Sequence, residues 1–192
     1  MKFLLLFSLI FFCCMDISAD WKLNNEGSSL SFNTVKNGSV VESHLFQSLS
    51  GTVSKAGKVE ILIDLSSVDT LIPIRDERIA SLLFETKLFP KAMLSSQVEL
   101  SPLLLLKPGA FTTIQTISEL SLHGVSTPLP LTLIVTKVSK NQFYVTSKKA
   151  VIIDGKDYNL ISGIEALRKI AGLEAITQRV PVSFSLLFEP IQ

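Results

Sequence analysis

The two histidines, His44 and His123, are the side chains best suited to acid–base or metal chemistry in this 192-residue chain. With Asp64, Asp69 or Glu119 they could in principle form a metal site, but their spacing matches no ligand motif. No serine lies in a Gly-x-Ser-x-Gly elbow, and no glycine-rich loop suits a phosphate. The sequence therefore predicts no catalytic residue, no metal and no cofactor. A hydrolase or barrel isomerase function would require one of the histidines to lie beside an acid and a nucleophile in a pocket.

Charged residues cluster at Arg75-Asp76 and Arg78, where a short helix is expected to begin. We favour a structural role, in which the Arg-Asp pair fixes the connection through a charge-assisted hydrogen bond. The alternative is that Arg75 or Arg78 faces the anionic head group of a ligand. The apolar residues that follow would then form either ordinary core or the wall of a lipid cavity: Leu82, Leu83, Phe84, Leu88 and Phe89.

The composition narrows the class of protein. Eighteen basic and 17 acidic residues give a net charge of +1, which argues against a nucleic-acid partner because such binding needs a clustered basic face. Hydrophobic residues make up 47% of the chain, and 12 Phe stand against two Tyr and one Trp. We therefore expect one folded domain with an unusually apolar interior.

Residues 1–19 are typical of a secretory signal peptide. Lys2 supplies the positive start, residues 3–14 are apolar, and Ala19 suits cleavage before Asp20. We expect a periplasmic protein, with secretion as the second choice, and no stable membrane insertion after cleavage because no apolar run reaches about 20 residues. An uncleaved anchor and a lipoprotein acylated at a cysteine are the alternatives. Both cysteines lie within the signal, so the mature chain is expected to form no disulfide.

Alternation of apolar and polar residues predicts about eight strands, and helical spacing predicts two short helices over residues 75–84 and 160–173. No alternation of strands and helices supports a parallel sheet. An antiparallel sheet of this size tends to close, and a barrel of about eight strands has room for side chains or one small ligand. The clearest predicted strands are residues 30–35, 58–65, 93–100, 111–122, 129–138, 143–153 and 180–188.

Two blocks resemble motifs of the YceI-like proteins. The first runs from Ser67-Val68-Asp69-Thr70 through residues 75–85 to Phe89-Pro90-Lys91-Ala92, with an Arg-Asp pair opening a helix. The second covers residues 120–129, with the sequence Leu-Ser-Leu-His-Gly-Val-Ser-Thr-Pro-Leu. Trp21-Lys22-Leu23 and residues 46–51 give further support. The resemblance spans roughly residues 20–190, so we expect a signal peptide over 1–19 and a YceI-like domain over 20–192.

This resemblance implies an exported, mainly β protein with an antiparallel lipocalin-like barrel. It also implies a binding protein, not an enzyme, that holds a long polyisoprenoid or similar amphiphilic lipid in the barrel interior. Homodimer formation stays open. The alternative is an envelope interaction module, a filled barrel that binds a protein partner such as a membrane cytochrome. For the lipid-binding hypothesis, the candidate wall residues are Phe32, Phe46, Phe84, Phe89 and Phe111, and the candidate head-group residues are Arg75 and Arg78.

Overall fold

The strands of the computed structural model, which describes residues 19–191, form one antiparallel sheet that closes on itself. Closure comes from pairing of the first strand with the last, with Trp21 opposite Pro190 and Phe32 opposite Val182. The strands are β1 (Ala19–Lys36), β2 (Val40–Phe46), β3 (Leu49–Ser54), β4 (Lys58–Asp64), β5 (Val68–Asp69), β6 (Lys91–Gln97), β7 (Phe111–Leu122), β8 (Val125–Lys137), β9 (Phe143–Ser147), β10 (Val151–Asp154) and β11 (Arg179–Pro190).

Eight strands form the closed ring, in the order β1, β3, β4, β6, β7, β8, β9 and β11. The predicted antiparallel barrel of about eight strands is therefore confirmed. The remaining three strands, β2, β5 and β10, extend the ring at one end. There β2 pairs with the second half of β1, β5 pairs with β2, and β10 pairs with the first half of β11.

Two of the ring's sides are each built from a broken strand. Strands β2 and β3 lie along the same edge of β1, and β9 and β10 lie along the same edge of β11. The predicted single strand over residues 143–153 is wrong in this respect, because it is interrupted between Ser147 and Val151. Asn25 spans the first break: its side chain donates to Gln47 O at 2.9 Å and accepts from Leu49 N at 2.7 Å.

Strand parity decides which side chains fill the barrel, because successive residues of a strand point to opposite faces. Along β7 the odd-numbered residues from Phe111 to Glu119 are exposed, whereas Leu120 and Leu122 are buried. Ile61 and Ile63 in β4 are likewise buried. The interior is thus lined by alternate residues of every strand.

Three short α-helices complete the fold of residues 19–191: α1 (Pro73–Arg78), α2 (Ser101–Leu104) and α3 (Ile161–Ile170). The two predicted helices correspond to α1, which continues as a π-helical turn over Ile79–Leu83, and to α3. Gly172, with φ of +63°, follows the end of α3, where a left-handed residue is favoured. The sequence analysis did not predict α2.

The helices cover opposite ends of the barrel. Leu103 of α2 is buried against Val135 and Phe143 and closes one end. At the other end, α3 packs on the π-helical turn at Gly163, where an added Cβ would lie 2.5 Å from Leu82 O. We call the end under α2 the closed end, and the end under α1 and α3 the helix-covered end.

The predicted signal peptide lies outside the described residues except for Ala19. Within residues 19–191, none of the helices has both the length and the apolar character needed to cross a bilayer.

Candidate functional site

A cavity of about 360 Å³ occupies the helix-covered end of the barrel. Its wall is built from inward residues of the strands and from the inner faces of α1 and α3. The aliphatic and aromatic side chains of this wall include Leu30, Phe32, Phe46, Ile63, Leu65, Leu120, Leu122, Leu129, Val151, Ile153, Ile164, Leu167, Val180 and Val182.

A second cavity of about 90 Å³ lies towards the closed end, where Leu103, Val135 and Phe143 form part of its wall. Leu94, Leu131 and Phe184 line both cavities and so form the layer between them. We call these three residues the septum. They divide the barrel interior into a large outer chamber and a small inner chamber.

The mouth of the outer chamber is marked by residues that both line the cavity and remain exposed on the surface. Ile72, Ile74 and Arg78 of the α1 region meet this condition, as does Ile170 at the end of α3. The mouth therefore lies between α1 and the carboxyl end of α3, and most of its rim is apolar.

A polar network fixes one side of the mouth. Arg75 Nη1 donates to Glu42 Oε2 at 2.8 Å, while Arg75 Nε and Nη2 donate to Thr70 Oγ1 and Thr70 O at 2.7 and 2.6 Å. Lys36 forms a second ion pair with Glu42. Burial alone would raise the pKa of Glu42, but the hydrogen bonds and charges of Lys36 and Arg75 outweigh it and lower that pKa.

The two predicted head-group arginines differ in their surroundings. Both line the cavity, but Arg75 is engaged by the protein itself, and its partners are Glu42 and Thr70 instead of the Asp76 that the sequence analysis favoured. Asp76 accepts from Thr70 N at 2.9 Å and so reinforces the same turn. Among the described residues, the exposed Arg78 guanidinium has no hydrogen-bond or ion-pair partner. Arg78 is therefore the arginine available to a ligand.

His44 lies in the cavity wall, only 4% exposed, with Nε2 3.1 Å from Thr34 Oγ1. Its ring contacts Phe32 at a centroid distance of 5.1 Å. Burial lowers the pKa of His44, and the charge of Arg75 lowers it further, against the opposing effect of Glu42. The imidazole is therefore neutral near pH 7.

Three of the five predicted phenylalanines form a row in the outer chamber. Phe32 and Phe46 have ring centroids 5.4 Å apart, and Phe46 and Phe84 have centroids 5.9 Å apart. Phe89 lies outside the cavity, with its ring against His123 at 4.5 Å. Phe111 is 67% exposed, because its odd position in β7 places it on the outer face of the barrel.

Sequence reasoning missed most of the wall, which is aliphatic rather than aromatic. It also missed Lys36 and Glu42, whose pairing depends on the β1–β2 hairpin, in which Lys36 lies opposite Val40 and Thr34 opposite Glu42. The alternation within β8 and β11 was the available signal for the wall residues. The candidate wall residues were chosen by residue type, because of the excess of Phe, and not by strand parity.

The histidines do not form a shared site. His123 lies at the β7–β8 turn, where Nε2 is 2.9 Å from Glu85 Oε2, and it is not part of either cavity wall. Within the described part of the chain, no group of three or more histidine, cysteine or acidic side chains could hold a metal ion.

Comparison with known families matches residues 21–188 to the YceI-like domain. No curated protein matches the sequence closely enough to count as a relative. Among solved structures, a polyisoprenoid-binding domain from Saccharophagus degradans, implicated in plant cell wall breakdown, has a TM-score of 0.89 and 34% identity. The match covers 91% of this chain and all of that domain.

Two more distant structures share the fold. BcnA of Burkholderia cenocepacia has a TM-score of 0.65 at 16% identity, with 86% of this chain and 98% of BcnA covered. The YceI protein of Campylobacter jejuni has a TM-score of 0.55 at 13% identity, with 78% of this chain and 84% of that protein covered.

Proposed function

Because the chain belongs to the YceI-like domain family, we propose that it is an exported binding protein that holds a long amphiphilic lipid in its barrel. The lipid is a polyisoprenoid or a similar chain, and the protein binds it without chemically changing it. The observation that carries this proposal is the apolar outer chamber that opens between α1 and α3.

The size and chemistry of the chamber support a lipid ligand. Small-molecule sites commonly have volumes of about 300–1,000 Å³ and combine apolar walls with a few polar groups. The outer chamber, at about 360 Å³, falls in this range, and the septum separates it from a further 90 Å³. Each Å² of apolar tail removed from water contributes about 25 cal/mol, so a buried prenyl chain is held without specific polar contacts.

The position of Arg78 supports an orientation of the ligand. Its unpartnered guanidinium lies at the mouth, whereas most of the chamber wall is apolar. A polar or anionic head group would therefore remain at the mouth near Arg78, because burying an unpaired charge among the wall residues is unfavourable. The tail would extend along the row of Phe32, Phe46 and Phe84 towards the septum.

The polyisoprenoid-binding domain from Saccharophagus degradans supports the choice of ligand, since it is similar to this chain over its whole length. The alternative of an interaction module required a filled barrel, and an interior with two cavities counts against it. Periplasmic location is part of the proposal and depends on the signal peptide predicted for residues 1–19. Amino-terminal sequencing of the protein from a periplasmic fraction should begin at Asp20.

Native mass spectrometry of the mature protein, purified without detergent, tests lipid binding. We expect an added mass in the prenyl-lipid range. The variant Val182→Trp should lose that mass, because Val182 lines the outer chamber and a larger side chain would fill it. Ser183→Trp is the matched control, since Ser183 is the exposed neighbour on the same strand and should retain the lipid. A bare polypeptide that also fails to take up added prenyl lipid would refute the proposal.

A further inference from the structure

The chain leading into α1 presents large apolar side chains to the surroundings. Leu71 is 88% exposed, Ile72 45% and Ile74 52%, and Pro73 between them is also exposed. We call residues 71–74 the apolar tip. Soluble proteins rarely leave several large aliphatic side chains exposed side by side, so a cluster of this kind indicates a contact surface.

The apolar tip is held in a defined conformation. Leu71 has φ of +64°, a left-handed conformation that is unfavourable for a bulky residue. Leu71 N donates to Asp69 Oδ1 at 2.8 Å, and the network of Thr70, Arg75 and Asp76 fixes the following turn. The backbone therefore holds the Leu71 side chain outward even though this conformation is strained.

The apolar tip is continuous with the cavity. Ile72 and Ile74 are exposed and also line the outer chamber, and Ile170 does the same from the opposite side of the mouth. A lipid leaving the chamber would thus pass over apolar side chains. Leu71 lies beyond this lining and does not contribute to the chamber wall.

The charges in the lining of the outer chamber are predominantly positive. The charged residues that line the outer chamber are Lys36, Arg75 and Arg78, against the single acidic Glu42. Ile74 and Arg78 are one helical turn apart, so the apolar tip and the unpartnered guanidinium lie on the same face of α1. This combination complements a partner that has an apolar interior and an anionic surface.

We propose that the mouth docks on a lipid bilayer with anionic head groups, inserting the apolar tip while Arg78 faces the phosphates. The docked mouth would let a lipid pass between bilayer and chamber without crossing water. This step rests on the proposed lipid-binding function, whereas docking itself does not require a bound ligand. A second copy of the chain is a poorer occupant, because two such mouths would bring their positive charges together.

Co-sedimentation with vesicles tests the docking. Vesicles of phosphatidylcholine containing phosphatidylglycerol should bind the protein, and vesicles of phosphatidylcholine alone should bind it several-fold more weakly. Leu71→Gly should weaken binding to the anionic vesicles about tenfold, the loss expected for one inserted leucine side chain. Glycine also tolerates the positive φ of this position, so the variant should fold.

Leu105→Gly is the matched control, because Leu105 is 84% exposed near the closed end of the barrel, away from the mouth. This variant should bind anionic vesicles like the wild type. Arg78→Gln should weaken binding to anionic vesicles and reduce its sensitivity to salt. Equal losses for Leu71→Gly and Leu105→Gly, or equal binding to both kinds of vesicle, would overturn the proposal.

Two further measurements separate docking from the other hypotheses. Leu71→Gly should keep its prenyl lipid in native mass spectrometry, because Leu71 is not a wall residue. If Leu71→Gly loses vesicle binding but keeps the lipid, docking is supported. If the wild-type protein binds vesicles but never holds lipid, docking is supported and the proposed function is refuted. If Leu71→Gly instead converts a homodimer to a monomer and leaves vesicle binding unchanged, the apolar tip is a dimer contact and docking is wrong.

Discussion

Arg75 Nη1 lies 2.8 Å from Glu42 Oε2 and thereby ties α1 to β2 at the mouth of the barrel. The same guanidinium donates twice to Thr70, so one side chain joins the strand, the turn and the helix. The position of α1, and with it the shape of the mouth, depends on this junction.

Replacing Arg75 with Leu should lower the free energy of unfolding. The change removes three hydrogen bonds and leaves Glu42, partly buried, with Lys36 alone, which we expect to cost about 1–3 kcal/mol. Urea unfolding measures the loss. Lys58→Leu is the control, because Lys58 and its ion-pair partner Glu60 are 48% and 43% exposed, and its unfolding should match that of the wild type. Equal effects of the two variants would contradict a structural role for Arg75.

Phe184 of the septum should set the length of tail that the barrel accepts. Phe184→Ala would join the outer and inner chambers, so the preference among prenyl alcohols should move towards longer chains by several-fold. Competition among alcohols of increasing length measures this shift. The variant should also lose about 2–4 kcal/mol of stability through the enlarged cavity. Phe111→Ala, on the outer face of the barrel, should change neither property.

Gly163 should be intolerant of a side chain. An added Cβ would lie 2.7 Å from Leu83 Cα as well as 2.5 Å from Leu82 O, and both are backbone atoms that cannot move independently. Gly163→Ala should push α3 away from the π-helical turn and lower the stability by about 1–3 kcal/mol. Ser162→Ala, exposed on the same helix, should unfold like the wild type. Thermal unfolding of the two variants makes the comparison.

The lowered pKa of His44 predicts a loss of stability in mild acid. Unfolded His44 takes up a proton near its ordinary pKa of 6.5, while the folded protein resists protonation until a lower pH. The free energy of unfolding should therefore fall as the pH drops from 7 to 5.5, by at most about 1.4 kcal/mol per unit. His44→Gln should reduce this slope.

An NMR titration tests the cause of that slope directly. In a His123→Gln variant the remaining imidazole signal belongs to His44, and its midpoint should lie below 6.5. A midpoint above 6.5 would show that burial is not the main influence on the pKa of His44.

Strand alternation made the barrel predictable. The predicted strand over residues 111–122 coincides with β7, and the predicted helix over 160–173 contains α3, because both patterns repeat over ten residues or more. The break between β9 and β10 was missed, although four consecutive polar residues, Thr146-Ser147-Lys148-Lys149, interrupt the alternation there. Helix α2 is four residues long and too short to show a period.

The candidate site was harder to predict than the fold. Phe32, Phe46 and Phe84 line the outer chamber, but Phe111 shows that residue type misleads when strand parity is ignored. The difference between Arg75 and Arg78 depends on Glu42, which lies on another strand and whose contact with α1 has no local signal. Local sequence predicts which elements form, whereas the mouth depends on contacts between distant segments.

The pairing of β1 with β11 also has a consequence for biogenesis. The ring cannot close until β11 has been synthesised, because β11 supplies the partner for β1 from Trp21 to Phe32, apart from an irregularity between Asn24 and Ser29. Contacts between the two termini form slowly, since a long loop must close before they are made. A chain emerging from the ribosome is therefore expected to close its barrel only after β11 has been synthesised, and such late folding is compatible with the proposed export through a translocation channel.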